Sequence, residues 1–347
     1  MYINLMTEEN KNIYITVWLL LITSLVGLMI IVGGLTRLTD SGLSITRWDL
    51  FSGILPPLNI ESWENAFALY KEIPEYKLLN SYMTLEDFKT IYWWEYIHRA
   101  LGRLIGMLYF IPLIYFTFKK IIKKESLIPF YLIFILILIQ GIIGWYMVKS
   151  GLTERTDVSQ YRLSLHLTLA IIIFLSLLWI YLKHININKN SFSSYSKIPY
   201  HLPTFFLFIV IVQISIGAFV SGIDAGKIYQ SWPLMNGNFF PDDVDSRMLF
   251  TSDIFEIPSI VQFIHRNTAY FIFLVFLFIA ITVFKNKELK YLKKIVLFIF
   301  LVLVLQMVLG VITLLSDVQI IFASLHQIGS VTLAASSLIL VYKNSKN

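Results

Sequence analysis

Long apolar blocks alternate with short polar connections along almost the whole chain. A helix needs about 20 apolar residues to cross a bilayer, and each block is about that long. The pattern predicts eight membrane-spanning helices, at residues 14–36, 93–118, 127–149, 160–183, 203–223, 259–284, 294–315 and 319–342. The first block is too long for the apolar region of a cleavable signal peptide, and "IVGGLTRLTDSG" at its end does not resemble a cleavage site.

Composition agrees with this pattern, and the positions of lysine give it an orientation. Of the 347 residues, 57% are hydrophobic and only 14% are charged, against about 25% charged in soluble domains. Lysine-rich connections follow the second, fourth and sixth spans, and the tail ends in "KNSKN". Because basic residues concentrate in cytoplasmic loops, both termini are predicted to be cytoplasmic. The net charge of +6 is therefore a topology signal and does not indicate a nucleic-acid partner.

The chain contains the same pattern twice. Identical residues recur at nearly constant separations, 184 for Gly42/Gly226, Trp48/Trp232 and Gly53/Gly237, and 166 for Gln140/Gln306 and Gly144/Gly310. Each copy holds four spans, and an even number returns the chain to its starting side, so the copies are predicted to be parallel repeats. The predicted fold is all-α: two four-helix bundles, 14–183 and 203–347, with a cytoplasmic tail (1–13) and a cytoplasmic linker (184–202).

The first bundle carries a large outer loop, residues 37–92. Near its end, "MTLEDFKTIYWW" has the pattern of an amphipathic helix, with Thr84 as N-cap and Asp87 as the acidic member of a capping box. This helix is predicted to lie on the membrane surface and to lead into the second span.

Four of the six histidines stand at matching places. His98, His166, His265 and His326 open the second, fourth, sixth and eighth spans, each roughly 10 Å below the outer surface at 1.5 Å per residue. The other two, His184 and His201, fall in the cytoplasmic linker. A lone histidine in a membrane often only bonds to a neighbouring helix. Four at one depth, two per repeat, predict ligand pairs instead.

The residue types around these histidines limit what they can bind. The chain has no cysteine, which excludes disulfides, thiolate metal sites and covalent attachment of c-type haem. A zinc site would need further ligands, and a di-iron site would need several more glutamates. Haem needs only two axial imidazoles in an apolar surrounding. One haem in each half fits best.

The two halves differ at one acidic position. Glu95 lies three residues before His98, so both share a helix face, whereas the matching residue before His265 is Gln262. A carboxylate beside the first haem suits proton transfer or stabilisation of positive charge, and an amide suits a haem that only passes electrons. The alternative for Glu95 is an acid at a helix start, favoured by the helix dipole.

Every arginine lies in an outer loop or at the outward end of a span, against the positive-inside bias. Each one alone fits a lipid headgroup as well as a ligand. Together they favour a ligand with carboxylates or phosphates, such as the propionates of haem. The candidate propionate contacts are Arg37, Arg47, Arg99, Arg162 and Arg266.

These motifs together resemble the haem A synthase family, in its proteobacterial and mitochondrial form. The resemblance covers nearly the whole chain and is carried by "GGLTRLTDSGLSITRW", "EYIHRALGR", "QGIIGWYMVKSGL", "LSLHLTLA", "GAFVSGIDAG", "WPLMNG", "QFIHRNTAY" and "LHQIGSVTL". It implies oxidation of the C8 methyl group of haem O to a formyl group, giving haem A for cytochrome c oxidase. Some members carry a cysteine pair in an outer loop, and this chain has none.

The resemblance also implies roles for single residues. His265 and His326 would be the axial ligands of a haem b cofactor, His98 and His166 would hold the substrate haem O, and Glu95 would be the catalytic acid. The protein would lie in the cell inner membrane with its haem sites near the periplasmic face. Candidate partners are haem O synthase, an unidentified electron-transfer protein, membrane lipid and a second copy of the chain.

Two other functions fit part of the pattern. A di-haem cytochrome b-type electron carrier would use the same four histidines, but it has no need for an acid in one half only. A transporter built from parallel repeats would place charged residues near the middle of the bilayer, and the centres of these spans are almost purely apolar.

Overall fold

The computed structural model describes residues 8–47, 52–153, 155–185, 197–199 and 201–345. Over these ranges the secondary structure is helical, with an isolated β-bridge between Met235 and Asn238 and no β-strand. Trp48 and most of the predicted linker lie outside the described residues. The α-helices are α1 (Glu8–Leu38), α2 (Ile60–Tyr70), α3 (Pro74–Leu78), α4 (Leu85–Phe118), α5 (Leu127–Gly151), α6 (Gln160–Ile185), α7 (Leu202–Gly222), α8 (Pro258–Lys285), α9 (Lys293–Leu315) and α10 (Ile320–Ser345).

Eight of these helices are long and apolar enough to cross a membrane, which confirms the predicted number of spans. The second span begins earlier than expected, because α4 runs without interruption from Leu85 to Phe118. The segment predicted to be a surface helix is therefore the first part of α4. Its capping box is as predicted: Asp87 N–H donates to Thr84 Oγ1 at 3.3 Å, and Thr84 N–H donates to Asp87 Oδ2 at 3.0 Å.

The contacts between the long helices form two closed rings. In the first half, α1 packs against α4, α4 against α5, α5 against α6, and α6 against α1. In the second half, α7, α8, α9 and α10 pack in the same cyclic order. The halves meet through α1, α6, α7 and α10. One apolar core runs through both rings, with side chains such as Ile22, Leu113, Ile171, Phe276 and Leu340 fully buried.

A second, smaller apolar cluster covers one end of the first ring. It joins the outer loop, through α2 and the following segment, to the first turns of α4 and the last turns of α5. Tyr70 and Phe88 are fully buried at its centre, with ring centroids 5.2 Å apart. This cluster holds the outer loop onto the end of the bundle where the candidate site residues lie. Its buried members are Leu43, Phe67, Tyr70, Ile73, Phe88, Ile91, Tyr92, Val148 and Val158.

Candidate functional site

Each of the four span histidines lies against a glycine of the preceding span. A Cβ atom built on three of these glycines would come 3.0–3.3 Å from the imidazole ring, closer than most side chains pack, and one built on Gly33 would meet its ring at 3.4 Å, the near limit of ordinary contact. The glycines therefore leave space that the rings occupy. The pairs are Gly33 with His98 (3.4 Å), Gly144 with His166 (3.0 Å), Gly217 with His265 (3.3 Å) and Gly310 with His326 (3.1 Å).

These glycines carry the same separations as the repeat motifs. Gly33 and Gly217 are 184 residues apart, and Gly144 and Gly310 are 166 apart. The sequence pattern included the second pair, but it did not connect either pair with the histidines. The constant separation along the chain indicates that these glycines occupy matching positions. Only the packing shows which side chain each glycine accommodates.

The geometry of the first pair of histidines suits a single flat group between them. The ring centroids of His98 and His166 are 6.4 Å apart, and the ring planes are inclined by 70°. Two imidazoles that bind one metal ion from opposite sides through bonds of about 2 Å have ring centres about 6 Å apart. The residues present therefore fit an iron held between two axial histidines.

Buried polar atoms around the histidines are incompletely bonded. Gln140 donates to the backbone oxygen of His166 at 3.0 Å, and Gln213 donates to that of His265 at 2.9 Å. Within the described ranges, Oε1 of Gln140, Oε1 of Gln213 and Nδ1 of His265 are buried without a partner. His326 differs, because its Nδ1 lies 3.1 Å from the backbone oxygen of Gln306. A ring nitrogen that donates in this way leaves the other nitrogen free to bind a metal.

The protein side chains do not offer a complete metal site. Among the residues that the structure describes, no group of three or more His, Cys, Asp or Glu side chains is placed to hold a metal ion. Each histidine pair therefore suits a metal that brings its own equatorial ligands, as the iron of a porphyrin does.

The carboxylate of Glu95 is buried and surrounded by donors. Its side chain is 3% exposed. Ser44 Oγ and the backbone N–H of Ile45 both donate to Oε2 at 2.7 Å. Arg99 donates to Oε1, from Nε at 3.1 Å and from Nη2 at 2.5 Å. The bonds join α4 to the segment that follows α1.

The matching residue, Gln262, has the opposite hydrogen-bonding environment. Its amide nitrogen donates to the backbone oxygens of Ala225 at 2.9 Å and Tyr229 at 3.2 Å, and its oxygen accepts from Arg266 at 3.1 Å. Tyr229 lies 184 residues after Ile45. Ile45 and Tyr229 therefore occupy matching positions with opposite roles: the backbone N–H of Ile45 donates to Glu95, and the backbone oxygen of Tyr229 accepts from Gln262.

The candidate arginines fall into two groups. Arg37 and Arg99 direct their guanidinium groups at protein oxygens. Arg37 donates to Asp40 at 2.6 Å and to the backbone oxygen of Ser221 at 2.7 Å, which ties α1 to α7. Arg99 donates to Glu95 and to the backbone oxygen of Ile45. A propionate at either arginine would have to compete with these bonds.

The other three arginines differ from one another in their contacts. Arg266 bonds to Tyr229 and Gln262 through Nη2, whereas its Nε and Nη1 are buried with no partner among the described residues. Arg162 donates from Nη1 to the backbone oxygen of Tyr146 at 2.7 Å, and its guanidinium carbon lies 3.6 Å from the centroid of the Tyr146 ring. Arg47 has an exposed side chain.

Comparison with known proteins agrees with this arrangement. Residues 16–338 match the family model described as "Cytochrome oxidase assembly protein". A protein named "Heme A synthase" from Pelagibacter ubique is 48% identical over 99% of this chain and 100% of its own length. Proteins of the same name from Rickettsia bellii and Rickettsia felis are 43% and 42% identical, over 97% and 92% of this chain and 99% and 94% of their own. The chain belongs to the cytochrome oxidase assembly protein family.

Proposed function

We propose that this protein is a haem A synthase, a membrane oxidoreductase that converts the C8 methyl group of haem O into the formyl group of haem A. The names of its relatives and the match to the assembly-protein family support the reaction. The lysine-rich connections support a position in the inner membrane with both termini in the cytoplasm and the histidines near the periplasmic face.

The two halves would hold different haems. His98 and His166 would bind the substrate haem O, and His265 and His326 would bind a haem b cofactor that accepts electrons one at a time. The observation that carries this assignment is the reversed environment of Glu95 and Gln262. An acid held by donors stands beside the first pair only, which is where chemistry at a methyl group needs it.

Glu95 would serve the reaction through its charge. With water as the source of the oxygen atom, conversion of the methyl group to a formyl group releases electrons to an acceptor and protons to a base. A carboxylate one helical turn outward from His98 suits two tasks: accepting a proton, and stabilising positive charge that develops at the haem edge. Its bonds to Ser44, Ile45 and Arg99 fix its position before substrate binds.

The arginines would hold the propionates at the outer surface. Arg266 is the strongest candidate in the second half, because two of its buried nitrogens still need acceptors. Arg162 and Arg47 are the corresponding candidates in the first half, followed by Arg99 and Arg37. Haem O would come from a haem O synthase in the same membrane, and electrons would leave to a further carrier. Association with lipid follows from the spans, and a second copy of the chain is a further candidate partner.

Removal of single histidines tests the assignment. In protein purified from a host that makes haem O, His265→Ala or His326→Ala should strip the tightly held haem b, because one axial ligand does not hold the iron in a six-coordinate state. His98→Ala should keep that haem b and abolish haem A. Extracted haems are separated by chromatography, and His184→Ala, on the cytoplasmic side, is the matched control.

Two results would contradict the proposal, and a third would invalidate the assay. Equal loss of haem b from both classes of variant would overturn the assignment of the halves. Haem b as the sole pigment of the wild-type protein would instead indicate a di-haem electron carrier. Loss of haem from the His184→Ala control would show that the assay reports folding and not ligation.

A further inference from the structure

The two halves are joined by a side chain next to a proposed haem ligand. Gln327 on α10 inserts into a notch on α1, where Gly34 has no side chain. A Cβ atom built on Gly34 would overlap the Gln327 amide, at 1.6 Å from its Oε1. The notch also uncovers the backbone oxygen of Ile30, which accepts from Gln327 Nε2 at 2.8 Å.

Each partner in this contact is the direct neighbour of a residue at a haem site. Gln327 follows His326, whose Nδ1 lies 3.1 Å from the backbone oxygen of Gln306 on α9. Gly34 follows Gly33, which lies against the ring of His98. Two adjacent residues of α10 thus contact different helices: His326 contacts α9, and Gln327 contacts α1. Two adjacent residues of α1 likewise contact different halves: Gly33 contacts His98 of the first half, and Gly34 contacts Gln327 of the second.

At the same place on the other side of the molecule, two apolar residues replace this pair, and the nearby polar contacts join Ser164 and Thr168 of α6 to Ser215 of α7. His166 and His326 are 160 residues apart, so Gln327 corresponds to Leu167 on α6; Gly34 corresponds to Ala218 on α7, at a separation of 184.

Neither the glycine nor the glutamine is present at the matching position between α6 and α7. A glutamine also fills a glycine notch within the second half, where Gln306 of α9 lies against Gly329 of α10, but the contact of Gln327 with Gly34 joins the two halves. Leucine and alanine pack α6 against α7 at the matching position, so close packing of the helices does not by itself require a glutamine and a glycine there.

We propose that Gln327 is a positioning residue that couples the two haem sites. By bonding to α1 it fixes the rotation of α10, and with it the plane of the His326 ring, relative to the helix that faces His98. This inference rests on the proposed function, because it takes His326 as an axial ligand. Its functional consequence is a constant arrangement of the two haems while electrons pass from one to the other.

The test reads the haem of the second half directly. In full-length protein carrying haem b, Gln327→Ala and the equally long Gln327→Met should retain the haem but shift its low-spin electron paramagnetic resonance signal and its midpoint potential. The signal depends on the angle between the two imidazole planes, and the potential depends on how the ligands are held. Thr332→Ala, which removes a hydroxyl that donates to the backbone oxygen of Ile328 in the same helix, is the control.

A first-half substitution gives the sharper result. Gly34→Ala should shift the second-half signal as Gln327→Ala does, because the new methyl group expels the amide. In Gln327→Ala protein, Gly34→Ala should change nothing further, since the two substitutions break one contact. Gly27→Ala on the same helix, where a Cβ meets Phe174 at an ordinary 3.4 Å, should leave the signal unchanged.

The outcomes separate this inference from the proposed function. Wild-type signals in Gln327→Ala, Gln327→Met and Gly34→Ala would overturn the coupling, whatever the output of haem A. Shifted signals in a protein that never forms haem A would support the coupling and contradict the proposed reaction. Additive shifts from Gly34→Ala and Gln327→Ala would also overturn it, because they would show independent effects.

Discussion

At the scale of single residues, the acid and the amide at the matching positions are each suited to their surroundings. Glu95 receives hydrogen bonds from Ser44, Ile45 and Arg99 and makes none that would need a proton of its own. Gln262 has two backbone oxygens as acceptors for its amide nitrogen. A carboxylate suits the hydrogen-bond donors around Glu95, and an amide suits the backbone acceptors around Gln262. Exchanging the two side chains would leave buried polar groups without partners in both halves.

Glu95→Gln should nearly abolish formation of haem A, since a general base contributes about two to four powers of ten in rate. The structure adds an effect on stability. The nitrogen of the new amide would face either the N–H of Ile45 or the guanidinium of Arg99, and both of these are donors. A buried donor without an acceptor costs about 1–3 kcal/mol. Chromatography of extracted haems measures the first effect, and thermal unfolding of the purified protein measures the second.

The reciprocal change, Gln262→Glu, is the matched control. It places a carboxylate against the backbone oxygens of Ala225 and Tyr229 and should also lower the unfolding temperature. Unlike Glu95→Gln, it should leave haem A output per folded molecule close to wild type. Normal haem A output from Glu95→Gln would show that Glu95 only anchors the loop to α4.

At the scale of helices, the glycine–histidine contacts set how closely neighbouring spans approach. Gly144 on α5 lies against the His166 ring, and a Cβ there would come 3.0 Å from Cε1. One turn earlier on the same helix, Gly141 has open space, with nothing within 4 Å of an added Cβ. The two glycines therefore separate the effect of packing from the effect of helix propensity.

Gly144→Ala should displace the His166 ring and weaken retention of the first-half haem, because the methyl group needs space that the imidazole occupies. Gly141→Ala should retain haem normally and, since alanine favours helix over glycine by about 1 kcal/mol, should not lower stability. Haem content per protein after gel filtration distinguishes the two. Equal retention in both variants would mean that the ring moves aside without cost.

At the scale of the whole molecule, the outer loop forms a layer over the first bundle and buries a carboxyl group within it. Glu75 is 5% exposed, and its Oε2 has no partner among the described residues. Burial raises the pKa of Glu75 to about 8, and the carboxylates of Asp157, Asp40 and Glu95 act in the same direction. A hydrogen bond with Tyr70 opposes this shift.

The raised pKa predicts that the loop layer loosens as pH rises. Between the ordinary pKa of 4.5 and the raised pKa of about 8, folded Glu75 holds a proton that the unfolded chain has lost. Stability contributed by this group is complete below the lower value and decreases up to the higher one. Thermal unfolding at pH 6 and pH 8 should show the decrease in wild type.

Glu75→Gln should remove much of this pH dependence, because an amide carries no titrating proton. Glu72→Gln is the control, since Glu72 lies in the same segment with its side chain 79% exposed. An unchanged pH dependence in Glu75→Gln would show that other groups produce it.

Most of the fold follows from local patterns. Each span is predicted by its own run of apolar residues, and the capping box at Thr84 and Asp87 involves neighbours three residues apart. The helix α4 begins before the predicted span at 93–118; polar residues near its start resemble a surface segment, although the backbone continues as one helix. Polarity indicates where a helix meets water and does not mark where it begins.

The candidate site divides in the same way. The sequence by itself determined that four histidines open alternate spans and that Glu95 in one half matches Gln262 in the other, because these depend on residue type and spacing; the equal depth of the histidines and their role at a site stay predictions. Only the tertiary structure decided which side chains meet: glycine with histidine, Gln327 with Gly34, and Arg37 with Ser221. Such contacts join positions far apart in the chain, and they depend on how helices rotate and approach one another, which spacing along one helix does not record.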